Sequence, residues 1–164
     1  MEIPKQFLTI GQSPIIIHTI RRVMESGLFD AVHLVVHPDW MDYTKKLLLK
    51  DGIKTDALDF IPGGKERIDS TQNALKALKN ENIDSDDIVV IHDGVRPFIN
   101  RDLLLRCIDK TKQYGATVAT VSVKDAIMTI EQGIATGTPD RKKFFTAKHQ
   151  PVSNFQLFMR PFKA

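Results

Sequence analysis

The segment HDGVRP (92–97) concentrates side chains that can bind a phosphorylated ligand. Asp93 and Arg96 lie within four residues of each other, and Gly94 between them leaves room for a close backbone approach. A guanidinium grips a phosphate through two parallel hydrogen bonds, whereas a carboxylate accepts from a hydroxyl or ligates a metal ion. The alternative interpretation is that Asp93 caps the local backbone and Arg96 joins a surface ion pair.

A second segment, PGGKERIDS (62–70), has the composition of a phosphate-binding loop. Gly63 and Gly64 allow backbone N–H groups to approach a ligand, and Ser70 lies in the first turns of the helix predicted to follow. A Gly-Gly turn also occurs where a chain merely reverses, so this interpretation stays beside the functional one.

Two further groups of cations are candidates for neutralising phosphate charge. Lys5 lies between Pro4 and Gln6 in a segment with little conformational freedom. Arg141, Lys142 and Lys143 form the densest basic run, which is by default a solvated turn and otherwise a site for a small anion.

Strands and helices alternate along the chain. Ser13 as N-cap and Pro14 as first helical residue predict a helix that Gly27 ends. The other predicted helices are 38–49, a helix after Gly64 with Ile68, Thr71, Leu75 and Leu78 on one face, and 101–114; the predicted strands are 31–37, 57–61, 88–92 and 116–123.

This alternation predicts an α/β fold, a three-layer sandwich around a mostly parallel sheet. Beyond Val123 the pattern changes, and residues 123–143 predict a protruding β-arm. The apolar tail 151–164 shows little helix or strand regularity. Because the sheet has no obvious first central strand, we expect this tail to cover part of its exposed flank. Ligands of such sheets bind at the carboxyl ends of the strands, where both loops lie.

Composition limits the class of protein. The chain has 164 residues, 42% of them apolar, and 23 Lys and Arg against 20 Asp and Glu. The basic residues are scattered, which argues against nucleic-acid binding. Apolar runs are too short for a membrane span and the N-terminus lacks a signal-peptide pattern, so we expect a cytoplasmic protein. His33 and His37 are expected to be ordinary packing or surface histidines.

The order of these motifs resembles one family. IPKQFL, PIIIHTI, PGGKERIDST, HDGVRPFI and VKDAI with Arg141 beyond it are similar to the cytidylyltransferases that couple CTP to a sugar-alcohol phosphate. These are the 2-C-methyl-D-erythritol 4-phosphate enzymes and their ribitol 5-phosphate relatives. The resemblance covers about residues 3–145, and HDGVRPFI and HPDWM look nearer to the ribitol-phosphate branch.

The resemblance implies a nucleotide site. Lys5 matches the lysine that stabilises charge developing on the triphosphate of CTP. Gly63, Gly64, Ser70 and Gly94 match the positions that lie against the nucleotide. The implied fold is a Rossmann-like nucleotidyltransferase domain.

The resemblance also implies an acceptor site. Asp93 matches the carboxylate that contacts the polyol phosphate near a magnesium ion, for which it is the candidate metal ligand. Arg96 matches an arginine that in the family reaches the acceptor phosphate from the partner subunit, and Arg141 matches one that positions the acceptor through an arm exchanged in a homodimer.

The sequence departs from the family pattern at both ends. A first strand with a glycine-rich loop and a late acidic motif with a lysine are not matched, which predicts a single, incomplete nucleotidyltransferase domain over 1–164. The alternative function is therefore a truncated, inactive relative that acts at most as a dimerising module. A nucleotide-sugar transferase is a third alternative, but it leaves HDGVRP and the arm without a role.

Overall fold

The computed structural model describes residues 3–81, 87–147 and 156–161. Helices α1 to α4 are Ile15–Glu25, Met41–Lys50, Arg67–Asn80 and Arg101–Tyr114. Strands β1 to β10 are Thr9–Ile10, Ser13–Pro14, Phe29–Val36, Asp59–Pro62, Val90–Asp93, Thr120–Ser122, Thr129–Glu131, Ile134–Gly137, Phe145–Ala147 and Gln156–Pro161. Short 3₁₀ turns occupy Lys5–Phe7, Pro38–Trp40, Thr55–Ala57 and Arg141–Lys143.

The main sheet has the strand order β4-β3-β10-β5. Strands β3 and β4 are parallel, and β10 is antiparallel to both β3 and β5. Strands β3, β4 and β5 therefore run in one direction, and their carboxyl ends lie at one edge of the sheet. The predicted α/β class is confirmed, with a single antiparallel strand among the four.

The tail was predicted to lack strand regularity, and this was wrong for residues 156–161. These residues form β10 in the middle of the sheet, and Met159 within it is only 1% exposed. The expectation that the tail covers the sheet's exposed flank is confirmed for this strand. Pro161, which lacks an N–H group, ends the strand beside a register shift. The tail residues 148–155 and 162–164 lie outside the described residues.

Helices pack on both faces of the sheet, as the three-layer prediction requires. One face of β3 joins α1, α2 and α4 in an apolar cluster that includes Ile16, Ile20, Leu34, Leu48 and Leu104. The other face packs on α3 through Val35, Ile61, Ala74 and Leu78. The apolar residues of α1 recur at helical spacing, which is why that helix buries one side.

The buried face of α3 differs from the predicted one. Ser70, Ala74 and Leu78 are buried, whereas Ile68 and Leu75 are 57% and 47% exposed. Burial follows i, i+4, i+8 spacing through two small residues, because these let the helix approach the sheet closely. A pattern search for large apolar side chains passes over such a face.

The start of α1 and the fourth predicted strand were also misplaced. Ser13 belongs to β2, and its hydroxyl donates to Asp51 Oδ1 at 2.9 Å instead of capping the helix, whose N-cap is Pro14. The strand predicted over 116–123 is confined to β6, which is exposed and pairs with β9 outside the main sheet. Within the predicted β-arm, β7 and β8 pair antiparallel and form a hairpin.

Candidate functional site

The carboxyl edge of the sheet brings the two predicted loops together. Val36 ends β3, Pro62 ends β4 and Asp93 ends β5, so the residues that follow all emerge at this edge. The backbone N–H of Gly63 donates to the carbonyl oxygen of Val36 at 2.7 Å, which ties the loop after β4 to the end of β3.

The Gly63-Gly64 turn is shaped by the first turn of α3. A Cβ atom on Gly64 would collide with Cβ of Asp69, so only glycine fits there. The Gly64 N–H donates to Ser70 Oγ at 3.1 Å, and Ser70 Oγ donates to the Glu66 carbonyl oxygen at 3.2 Å. Ser70 is fully buried, and in this structure its hydroxyl fixes the turn from inside.

The helix that follows this turn begins with a reciprocal cap. Glu66 is its N-cap, and its backbone N–H donates to Asp69 Oδ2 at 3.0 Å while its side chain accepts from the Asp69 backbone. The glycine turn is therefore fixed at both ends, by the Gly63 hydrogen bond to Val36 and by the cap between Glu66 and Asp69.

Asp93 lies at the centre of a charged cluster. Its carboxylate is only 2% exposed, Arg67 Nη2 lies 3.2 Å from its Oδ1, and Arg96 Nε lies 2.9 Å from its Oδ2. The structure thus joins Asp93 to Arg96 as an ion pair, which the sequence analysis did not predict, and adds Arg67. Sequence reasoning missed Arg67, although its place at the start of the helix after the glycine turn puts it at the same edge.

The cluster contains one unsatisfied donor. Two guanidinium groups contact the Asp93 carboxylate, and Arg96 Nη2 is buried without a hydrogen-bond partner among the described residues. A buried donor that lacks a partner is rare in folded proteins, and an anionic oxygen is the partner a guanidinium binds most strongly. The geometry therefore suits an anion next to Arg96.

The backbone at Gly94 is held by a side chain of helix α1. The hydroxyl of Thr19, which is fully buried, donates to the Gly94 carbonyl oxygen at 2.9 Å. This contact fixes the backbone of the HDGVRP loop at the point where β5 ends.

Lys5 lies on a small turn at the same end of the molecule. Its side chain is exposed, and the turn is anchored by Phe7, whose ring packs against Trp40 at 5.0 Å and Tyr43 at 4.9 Å between centroids. Trp40 follows the carboxyl end of β3, so the anchored turn belongs to the edge that carries the two loops.

Arg141 is placed in the arm and not in the Asp93 cluster. Its Nη1 donates to the Lys124 carbonyl oxygen at 3.3 Å. Among the described residues, no hydrogen bond or ion pair joins Arg141 to Asp93. Arg141 and Lys124 line an open cavity of about 450 Å³ together with Ser122, Val123 and Lys142. Three cationic side chains therefore surround one cavity in the arm.

A family model for IspD, 2-C-methyl-D-erythritol 4-phosphate cytidylyltransferase, matches residues 1–163. The chain belongs to this family. The resemblance inferred from the motifs is thereby confirmed.

Named relatives agree with the IspD assignment. The chain is 34% identical over 163 residues to a "Bifunctional enzyme IspD/IspF" of Desulfotalea psychrophila, covering 99% of this chain and 41% of that protein. It is 34% identical over 160 residues to the 2-C-methyl-D-erythritol 4-phosphate cytidylyltransferase of Thermosipho melanesiensis, covering 98% and 69%. The chain thus spans between two fifths and about two thirds of these relatives.

A solved structure supports the IspD fold. The 4-diphosphocytidyl-2C-methyl-D-erythritol synthase of Anaerococcus prevotii superposes with a TM-score of 0.73 at 24% identity, covering 94% of this chain and 65% of that one. Among the described residues, no helix combines the length and apolar character that crossing a membrane requires.

The surroundings of Asp93 oppose direct ligation of a magnesium ion. Its two oxygens accept from guanidinium groups at 3.2 Å and 2.9 Å. Each oxygen keeps a second lone pair, but a cation bound there would lie close to two positively charged arginines, which is electrostatically unfavourable.

Proposed function

We propose that this chain contributes the family's cytidylyl transfer, from CTP to 2-C-methyl-D-erythritol 4-phosphate, with pyrophosphate as the second product. The observation that carries the proposal is the Arg67–Asp93–Arg96 cluster, which faces the same sheet edge as the Gly63-Gly64 turn. The family match and the names of the relatives favour the methylerythritol acceptor over the ribitol acceptor that HDGVRPFI and HPDWM suggested.

The reaction needs positioning and positive charge more than covalent help from the protein. An oxygen of the acceptor phosphate attacks the α-phosphorus of CTP, a new P–O bond forms, and the bond to the pyrophosphate oxygen breaks in line. Lys5 stabilises negative charge on the triphosphate, and Arg96 holds the acceptor phosphate through its unpartnered Nη2. Asp93 orients Arg96 and Arg67.

The nucleotide lies against the glycine turn in this proposal. Gly63, Gly64 and Gly94 present backbone without side chains, and Ser70 keeps the turn in shape from the buried side. Magnesium enters only with CTP, whose phosphate oxygens are the ligands that this ion prefers.

Arg141 contributes from the arm of a second copy. The arm exposes several large apolar side chains, which an arm exchanged in a homodimer would cover: Met128, Ile130, Ile134, Phe144 and Phe145. In the exchanged dimer, the cavity lined by Lys124, Arg141 and Lys142 would lie next to Arg96 of the partner subunit, where the acceptor phosphate binds.

The test is pyrophosphate release from CTP with Mg²⁺ and either 2-C-methyl-D-erythritol 4-phosphate or ribitol 5-phosphate. We expect turnover with the first acceptor, a loss of about 100-fold or more in Lys5→Ala, and no change in the control Lys76→Ala, an exposed lysine near the other end of α3. Turnover with ribitol 5-phosphate alone would overturn the acceptor assignment.

No turnover with either acceptor would favour the inactive dimerising relative. Thermal unfolding with and without CTP and Mg²⁺ then separates the two remaining cases. A rise in melting temperature that Lys5→Ala reduces would indicate a nucleotide site without catalysis, whereas no rise would remove the nucleotide from the proposal.

A further inference from the structure

His33 is a buried histidine without hydrogen-bond partners on the α3 side of the sheet. Its side chain is 0% exposed, and neither Nδ1 nor Nε2 forms a hydrogen bond to any described residue. Val35 and Ile61 share this face of the sheet. A buried imidazole with both nitrogens unsatisfied is unfavourable in such surroundings, and a partner for at least one nitrogen would stabilise it.

Two carboxylates flank the ring. Asp59 Oδ2 lies 3.5 Å from Nδ1, and Glu81 Oε2 lies 3.5 Å from Nε2. Asp59 is the first residue of β4, and Glu81 is the C-cap of α3. Their side chains are 67% and 41% exposed, so the cluster opens to solvent on the side of the carboxylates while the imidazole lies inside.

We propose that His33, Asp59 and Glu81 bind a divalent transition-metal ion. One ligand atom from each residue lies within 4.8 Å of the other two. In a tetrahedral zinc site, N and O ligands at their usual bond lengths are about 3.4 Å apart, close to the 3.5 Å between Nδ1 and Asp59 Oδ2. The 3.5 Å separation from Glu81 is measured to the opposite nitrogen, so a metal bound through one nitrogen requires the carboxylate on the other side to move toward it. The three ligand atoms can come closer together through movement of the two exposed carboxylates alone. A water molecule occupies the fourth position of the tetrahedral shell.

The donor set selects the class of ion. One imidazole nitrogen with carboxylate oxygens suits zinc and its first-row neighbours, whereas magnesium prefers oxygen ligands alone and an octahedral shell. The ring gives only one nitrogen to the metal. The other nitrogen then carries the proton, and a hydrogen bond from it to an oxygen that does not ligate the metal would fix the ring orientation, as in other metal-bound histidines.

The proposed site lies at the opposite end of the β4–α3 unit from the glycine turn. Asp59 begins β4, whereas Gly63 follows its end; Glu81 ends α3, whereas Arg67 begins it. A metal here joins β3, β4 and α3 at the end remote from the phosphate-binding edge. Its role is therefore structural, and the inference is independent of the proposed function.

The experiment uses the full chain and Zn²⁺ alone, without nucleotide. Titration calorimetry should give one Zn²⁺ per chain. At a free concentration of about 100 times Kd, Zn²⁺ should raise the melting temperature by about 5 °C or more. Co²⁺, added separately, should give the visible absorption of a nitrogen and oxygen site of low symmetry.

Four variants localise the binding. His33→Val should abolish Zn²⁺ binding and the Co²⁺ spectrum while the apo form stays folded, because valine suits a buried strand position. Asp59→Asn and Glu81→Gln change exposed side chains and should each weaken binding by about 10-fold or more. Asp56→Asn, a matched exposed acidic residue in the turn before β4, should bind like the unchanged chain.

Two results would overturn the proposal. Absence of Zn²⁺ binding and of any thermal shift in the unchanged chain would mean that the two carboxylates flank the His33 ring without forming a metal site. Binding that persists undiminished in His33→Val, or in both carboxylate variants, would place the ion elsewhere on the protein.

Discussion

Gly64→Ala should damage the candidate site through one identifiable collision. The added Cβ would meet Cβ of Asp69 and would lie 3.2 Å from the Asp69 Cα and carbonyl carbon. These are backbone and near-backbone atoms of the first turn of α3, which cannot rotate away as the end of a long side chain can. Either the glycine turn or the start of the helix must shift.

The expected cost follows from the contacts that such a shift breaks. The cap between Glu66 and Asp69 is worth about 1 kcal/mol, and the buried Ser70 hydroxyl loses the Gly64 N–H, which costs about 1–3 kcal/mol. The free energy of unfolding should fall by about 2–4 kcal/mol. For a chain of this size the melting temperature should fall by about 4–16 °C.

Gly63→Ala is the matched control. Its Cβ would lie 3.2 Å from Ser70 Oγ and 3.4 Å from the His37 nitrogen, a tight but tolerable fit that should cost about 1 kcal/mol or less. Urea unfolding and thermal unfolding with and without CTP and Mg²⁺ measure both variants. Equal stability of Gly64→Ala and the unchanged chain would refute the collision, and equal damage by both variants would assign the effect to loss of glycine in general.

Three further changes test the other parts of the structure. Asp93→Asn removes the negative charge that two guanidiniums contact, and the free energy of unfolding measured in urea should fall by about 2–4 kcal/mol; unchanged stability would mean that the cluster contributes nothing. Arg141→Gln, in the exposed arm, should raise the acceptor KM about 10-fold or more and leave the melting temperature unchanged, whereas a stability loss with normal KM would contradict its role. Met159→Ala should cost about 2–5 kcal/mol in urea unfolding, and a loss below about 1 kcal/mol would exclude β10 from the core.

The local pattern of the sequence predicted most helices and strands of the body because their periodicity is determined by nearby residues. The helices α2 and α4 and the strands β3, β4 and β5 lie within a few residues of their predicted positions. The tail strand β10 was missed because its identity comes from partners distant in sequence. Gln156 pairs with Val35 on one side and Asp93 on the other, and no local window contains those partners.

The site was predicted in part, and the missing part has a physical reason. Asp93 and Arg96 were predicted as site residues because both lie in HDGVRP, but their pairing with each other was not predicted. Arg67 reaches Asp93 across 26 residues, because two parallel strands end at one edge. The structural role of Ser70 was also unforeseen: burial decides whether a hydroxyl faces a ligand or holds a turn, and burial depends on how closely α3 approaches the sheet.

The central position of β10 links the stability of the sheet to the geometry of the site. Strand β10 lies between β3 and β5, so it sets the distance between the glycine turn, tied to Val36, and the Asp93 loop. Arg67 must span that distance to reach Asp93. Weakening β10 should therefore loosen the Arg67–Asp93 contact before the sheet unfolds. Met159→Ala should accordingly weaken CTP binding, measured as a raised Kd by titration calorimetry, at temperatures where the chain is fully folded.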